Sequence, residues 1–190
     1  MPRALRTLSF SFQDTHLTHF GGLVLLQRFC QKAQLRWRLQ NYVRLPQRNG
    51  DFTCADLIWA LLYAVSAGRR RINKTELLQY NGTFLDLLGL ARFPDPSTLR
   101  RFLQRMTPQS VRQLVALHDG FRSRFSALPQ GASSLTFDLD SVVLTLYGQQ
   151  QGARIGYNPK KKGRPSYHPL LCFEAQRQEF WHGSLRPGDT

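Results

Sequence analysis

Over the first two thirds of the chain, apolar positions recur at three- and four-residue steps, the spacing of a helix with one buried stripe. Leu23 to Phe29 and Leu35 to Val43 predict two helices near the N-terminus. Thr53 and Asp56 form a capping-box pair ahead of Leu57-Ile58-Trp59-Ala60-Leu61-Leu62-Tyr63-Ala64-Val65, and Gly68 supplies a stop. A segment apolar nearly all round predicts a central helix. Thr83, Asp86 and Gly89 bracket a shorter helix in the same manner. Asp95-Pro96 places an N-cap acid before a first-turn proline, opening a helix through Leu99, Phe102 and Leu103. Thr107-Pro108 repeats the device. Val111, Leu114, Val115, His118, Phe121 and Phe125 then predict a core-facing stripe, with His118 packed in it.

The pattern changes after Pro129-Gln130-Gly131, a break. Leu135 to Tyr147 is rich in β-branched and aromatic residues and alternates around two aspartates, as a strand does. Gly148 to Gly163 is polar, basic and glycine-punctuated, which predicts an exposed connection. Tyr167 to Ala175 and Phe180 to Leu185 predict a second and a third strand. The short polar turn Gln176-Arg177-Gln178-Glu179 joins them as an antiparallel hairpin. Arg186 to Thr190 reads as the start of a loop. The expected class is α+β, with a helical region over residues 1–130 and three antiparallel strands over 131–190. Three strands alone leave one sheet face uncovered, so the chain reads as unfinished.

Composition narrows the function. The 190 residues are 42% hydrophobic and 20% charged, a globular balance. Lys and Arg number 26 against 12 Asp and Glu, a formal charge of +14 with a pI near 10.7. So basic a surface calls for an anionic partner, and nucleic acid is the first candidate. Cys30, Cys54 and Cys172 fit neither a disulfide framework nor a zinc pattern, and are expected as reduced, buried, intracellular thiols. The N-terminus has no continuous apolar signal core, and Leu57 to Val65 falls far short of the ~20 residues that span a bilayer. A cytoplasmic protein without a membrane partner is the expectation.

The candidate chemistry lies in three places. In Phe137-Asp138-Leu139-Asp140-Ser141-Val142, both aspartates project from one strand face. Two like charges so close call for a divalent cation or a basic group between them, and hard oxygen ligands suit magnesium or manganese. The other reading is a strand that carries charge against edge pairing. In Asn158-Pro159-Lys160-Lys161-Lys162-Gly163-Arg164-Pro165-Ser166-Tyr167-His168-Pro169, four cations in five positions make a stiff basic loop that suits a phosphate backbone. Tyr157 and Tyr167 interleave there and offer stacking to an unpaired base; the alternative is a solvated loop without a partner. In Pro94 to Arg105, Arg100, Arg101 and Arg105, with Arg92 just upstream, surround an apolar stripe, as in a helix-turn-helix-like reader or any basic bundle helix. Arg69-Arg70-Arg71 serves either DNA contact or the C-terminal dipole of the preceding helix. The five histidines, His16 among them, show no ligand spacing. Ser141 lacks a nucleophile elbow, and Gly148, Gly152 and Gly156 do not match a phosphate-binding loop.

Asp138-Leu139-Asp140-Ser141, the run from Gly156 to Leu171, the closing Leu185-Arg186-Pro187-Gly188-Asp189-Thr190 and the segment Asp95 to Leu103 resemble bacterial insertion-sequence transposases of the DDE type. The resemblance covers essentially the whole chain. It implies a helical DNA-binding region followed by the first three strands of an RNase H-like catalytic domain, incomplete here. It also implies two aspartates and a glutamate holding two Mg2+ or Mn2+ ions, for in-line cleavage and strand transfer at transposon ends. Asp140, followed by Ser141, matches the family's first acid; Asp138 is the reserve on the same face. Lys160, Lys161, Lys162, Arg164, Tyr157, Arg100 and Arg101 are the implied DNA contacts. The second aspartate and the glutamate belong beyond the third strand, so the expectation is a truncated transposase that binds DNA, nucleoid-associated, without cutting it alone. A self-sufficient nuclease needs a third acid, for which Glu174, Glu179 and Asp189 are the nearby options. The rivals are a DNA-binding regulator that occupies transposon ends or pairs with full-length transposase as an inhibitor, and an inert remnant; full-length transposase or a second copy of the chain, as a homodimer, are the protein partners to expect.

Overall fold

The computed structural model describes residues 19–45, 50–126 and 134–190, in two compact units, 1–122 and 123–190. The break at Pro129 to Gly131, the boundary at 130 and His16 lie outside the described residues.

The first unit is helical. Helix α1 spans Leu23–Lys32, α2 Leu35–Tyr42, α3 Cys54–Ser66, a 3-10 helix Ile72–Leu78, α4 Gly82–Leu88, α5 Pro96–Gln104 and α6 Pro108–Phe125, whose last residues cross into the second unit. Helix α3 is the centre, as its apolar circumference predicts: Leu57, Trp59, Ala60, Tyr63 and Ala64 are all buried. Its capping box is formed, with Thr53 Oγ1 accepting from the Asp56 amide at 3.2 Å and Asp56 Oδ2 accepting from the Thr53 amide at 3.0 Å. Phe84 of α4 gathers the aromatic part of the core, its ring centroid 5.0 Å from Phe20, 5.8 Å from Phe93 and 6.4 Å from Tyr63. Edge-to-face and tilted pairs of this kind add to burial, which alone is worth about 1.5–3 kcal/mol per large side chain.

Local signals located α1 to α6, missed the 3-10 helix Ile72–Leu78, and misplaced some of the helices' contacts. Helix α4 is capped by Asn81, whose Oδ1 accepts from the Phe84 amide at 2.9 Å, and Thr83 lies inside its first turn. Gly89 closes it at φ 63°, as expected of a left-handed stop. Asp95 holds the N-cap position of α5, yet its carboxylate accepts from Gln79 Nε2 at 2.7 Å instead of capping. The stripe of α6 is not a core stripe. Ser110 is its one buried residue among those described, Val111 and Val115 are exposed, and Leu114 with Leu117 only partly cover the core. His118 is half-exposed, its Nδ1 3.6 Å from Asp119 Oδ1. Period 3.6 marks an apolar face without saying what covers it.

The second unit holds two three-stranded antiparallel sheets. Strands β1 (Phe137–Ser141), β5 (Leu170–Glu174) and β6 (Glu179–Ser184) form one, in the order β1-β5-β6. Strands β2 (Leu144–Thr145), β4 (Pro165–Tyr167) and β3 (Arg154–Ile155) form the other, in the order β2-β4-β3. The single strand expected from Leu135 to Tyr147 and the one from Tyr167 to Ala175 are therefore each split. They split opposite one another: Ser141 pairs with Leu170 and Leu144 with Tyr167, while Val142-Val143 and His168-Pro169 drop out between. Pro169 has no N–H for the ladder, and its carbonyl takes the Val142 amide at 3.3 Å. The β5–β6 hairpin is as predicted, with a bulge between Cys172 and Phe173. Its turn is held by Glu174, a buried carboxylate accepting from the Gln176 and Arg177 amides at 3.1 and 2.9 Å.

Two further expectations are corrected. The connection from Gly148 to Gly163 contains β3 and the buried Asn158, so it is not wholly exposed. Residues 186–190 are irregular, as expected of a loop, and are tied to the small sheet. The His168 amide donates to Arg186 O at 2.8 Å, Arg186 Nε donates to His168 O at 3.2 Å, and Tyr167 bridges Pro187. Of the cysteines, Cys30 is buried while Cys54 and Cys172 are partly exposed, and all three are free. The whole is α+β.

Candidate nucleic-acid interface and acidic strand

The acidic strand comes first. Asp138 and Asp140 lie two residues apart on β1, hence on one face, and both are exposed. Their register partners on β5 are Phe173 and Leu171, so no cation from the neighbouring strand stands opposite them. Two hard carboxylates side by side fit the donor chemistry of a divalent cation such as Mg2+ or Mn2+. The reserve acids are committed elsewhere. Glu174 caps the hairpin turn, Glu179 accepts from Ser126 Oγ at 2.5 Å, and Asp189 lies 3.7 Å from Arg154 Nε. Among the described residues no group of three or more His, Cys, Asp or Glu converges as a metal site.

The basic loop between β3 and β4 is built from below. Asn158 is buried, donating through Nδ2 to Thr145 Oγ1 at 2.9 Å and accepting the Lys161 amide on Oδ1 at 3.0 Å. That side-chain turn, with Gly163 at φ 73°, lifts Lys160, Lys161 and Lys162 into solvent. Arg164 follows, its guanidinium 5.8 Å from the Tyr147 ring centroid. Tyr147 and Tyr157 are 72% and 74% exposed, so both rings are open to a stacking partner. Tyr167 is not. Its hydroxyl donates to Gln151 O and the residue is half-buried in the small sheet, which removes it from the stacking set. Tyr147 escaped the sequence reading; its place just before Gly148, in an apolar run, looked like a strand end.

Beneath the loop, Gly156 and Gly188 meet backbone to backbone. A Cβ on Gly156 would fall 1.8 Å from Gly188 O, and one on Gly188 would fall 2.3 Å from Ser166 Oγ and 2.4 Å from Arg154 O. This contact explains two of the glycines that gave the Gly156–Leu171 and Leu185–Thr190 runs their distinctive look. They are packing residues, not phosphate ligands.

In the helical unit, Arg100 and Arg101 of α5 are exposed. Arg100 Nη2 donates to Asn73 Oδ1 at 2.6 Å, which joins α5 to the segment just after Arg69-Arg70-Arg71. That hydrogen bond ties α5 to the 3-10 helix, a link no local pattern carries. Arg101 and Arg105 line a cleft of about 610 Å3 with Arg92, whose charge is already taken by Asp51 and whose guanidinium lies 5.3 Å from the Phe52 centroid.

An α+β chain with paired strand aspartates and several basic clusters has the makings of a protein that handles DNA. A family model described as transposase DDE domain, group 1, matches residues 2–190, and the chain belongs to that family. A transposase-type function follows, with DNA as the partner in general and divalent metals as the family's usual cofactors. No curated protein and no solved structure matches the chain. Among the described residues, no helix is long and apolar enough to cross a membrane.

Proposed function

We propose that these residues are the DNA-gripping and first-acid portion of an RNase H-like transposase, and that by themselves they bind DNA without cutting it. The observation that carries this reading is the state of the acids: Asp138 and Asp140 stand free together while Glu174, Glu179 and Asp189 are each engaged. Asp140, with Asp138 beside it, would hold one side of a divalent metal site. When bound, such ions supply an activated oxygen nucleophile and stabilise the leaving oxygen of a phosphodiester. The chain's own residues do the rest. Lys160, Lys161 and Lys162 neutralise backbone phosphates, Arg164 and Tyr157 border the strand that lies along them, and Arg100 and Arg101 hold a second stretch from α5. Transposon ends, the substrate class of the family, are the DNA this reading assigns to them.

The test is a pair of assays on the 190-residue chain: DNA binding by fluorescence anisotropy, and nicking of supercoiled plasmid in Mg2+ and in Mn2+. The expected result is binding without nicking. Metal-dependent nicking that disappears in Asp140→Ala would overturn the reading. Binding unchanged by Lys160→Ala/Lys161→Ala/Lys162→Ala would remove the loop from it.

A further inference from the structure

The arginines of α5 serve two different sides of the helix. Arg100 donates to Asn73 of the 3-10 helix. Thr98, Arg101 and Arg105 follow at three- and four-residue steps down another side to the C-cap, and all three line the cleft of about 610 Å3. Its size falls within the ~300–1,000 Å3 of small-molecule sites, room enough for one nucleotide of a strand. Phe52 and Leu57, one before and one after the Thr53 cap of α3, give it an apolar wall.

The charges that line this cleft are unequally committed. Its two acids are both engaged, Asp51 by Arg92 and Asp95 by Gln79. Arg92 is held on its other side by the Phe52 ring. Among the described residues neither Arg101 nor Arg105 pairs with an acid; Arg101 reaches only Thr98 Oγ1, one turn back, at 3.4 Å. Like charges four residues apart on a helix repel. The C-terminus of α5 offers them about half a negative charge, too little for two guanidiniums. Arg105 also lies close enough to α3 to draw the Cys54 thiol down, against the larger upward push of burial. Two guanidinium forks without carboxylates, in a concave site with a hydroxyl one turn away, suit an anion with several oxygens.

We propose that this cleft takes one phosphate ester group, held by Arg101 and Arg105 together; on the DNA-gripping reading above, from which the partner comes, the phosphate is one of DNA. The experiment follows the arginine Nε–H resonances of the full chain by NMR during two titrations. Dimethyl phosphate is a diester, as in the DNA backbone; methyl phosphate is a monoester, as at a 5′ end or on a free nucleotide. Arg101 and Arg105, assigned through their Lys variants, are expected to shift saturably while Arg112, an exposed arginine of α6, stays. The diester acting at lower concentration assigns the cleft to the backbone; the monoester doing so assigns it to a strand end or a free nucleotide. In anisotropy titrations with a duplex, Arg101→Lys/Arg105→Lys keeps the charge and loses the forks, and is expected to bind about 3-fold more weakly with an unchanged melting temperature. Arg101→Ala/Arg105→Ala is expected to bind about 10-fold more weakly. Esters that shift neither arginine, or shift Arg112 equally, would overturn the proposal, as would duplex affinity unchanged in both variants. Esters seated on Arg101 and Arg105 in a parent chain that binds no duplex would uphold the cleft as a phosphate site and sink the DNA reading instead.

Discussion

At the residue scale, the sharpest constraint is steric. Gly156 lies so close to the Gly188 carbonyl that even a methyl group has no room, and the listener on the other side is backbone rather than a movable side chain. Overpacking of a yielding core costs about 1–3 kcal/mol. Gly156→Ala is therefore expected to cost about 3 kcal/mol or more, whereas Gly152→Ala, with open space but φ 77°, pays only backbone strain of about 1–2 kcal/mol. Urea denaturation followed by tryptophan fluorescence separates the two; equal losses would mean the glycine contact yields easily. The same scale shows why the candidate residues were partly readable. Asp138, Asp140 and the lysines announce themselves by charge and spacing. Asn158, Asn73 and Tyr147 do not, because their importance lies in partners 13, 27 and 17 positions away: Thr145, Arg100 and Arg164.

At the scale of the element, capping carried the sequence reading far. Thr53-Asp56, Gly68 and Gly89 each sit where the local chemistry put them, since a cap is settled within four residues. Asp56 does more than its motif requires, because it also pairs with Arg36 of α2. Thr53→Ala is expected to cost about 1 kcal/mol, the ordinary loss of an N-cap. Asp56→Ala is expected to cost about 2 kcal/mol, since it opens both the box and the link between α2 and α3, the latter discounted because Arg36 is about one-third exposed. Thermal melts of the single variants and of Asp56→Ala/Arg36→Ala check this: a double variant no worse than Asp56→Ala alone places the excess in the ion pair. The strands were less legible. β-propensity runs straight through Val142-Val143, and only the pairing with Pro169, 27 residues on, reveals the split.

At the scale of the molecule, the governing quantity is the formal charge of +14. Long-range attraction of this size draws in any polyanion, so affinity alone says little about where DNA lies. The salt dependence says more. Each neutralised phosphate contributes about −0.9 to the slope of log affinity against log salt. If the loop and helices together meet about five phosphates, the slope is about −4.5. Replacing Lys160, Lys161 and Lys162 with Ala is expected to flatten it by about 2.7, whereas Arg100→Ala/Arg101→Ala flattens it by about 1.8. Anisotropy titrations from low to moderate salt give these slopes. A parent slope near zero would show that the cations are not used on phosphate. Fold class was readable at this scale from the switch of period alone, while the second sheet was not, because its strands are two or three residues long.

The meeting of Gly156 with Gly188 carries one more consequence. The lysine loop springs from a stretch whose footing is residues 186–190, fastened through Tyr167 and His168, with Gly188 packed closely on Ser166. A protease that trims the polypeptide after Leu185 would pull out the keystone from under that arch. Lys160, Lys161, Lys162 and Arg164 would remain in the polymer, yet the rigid arrangement that presents them together would be gone.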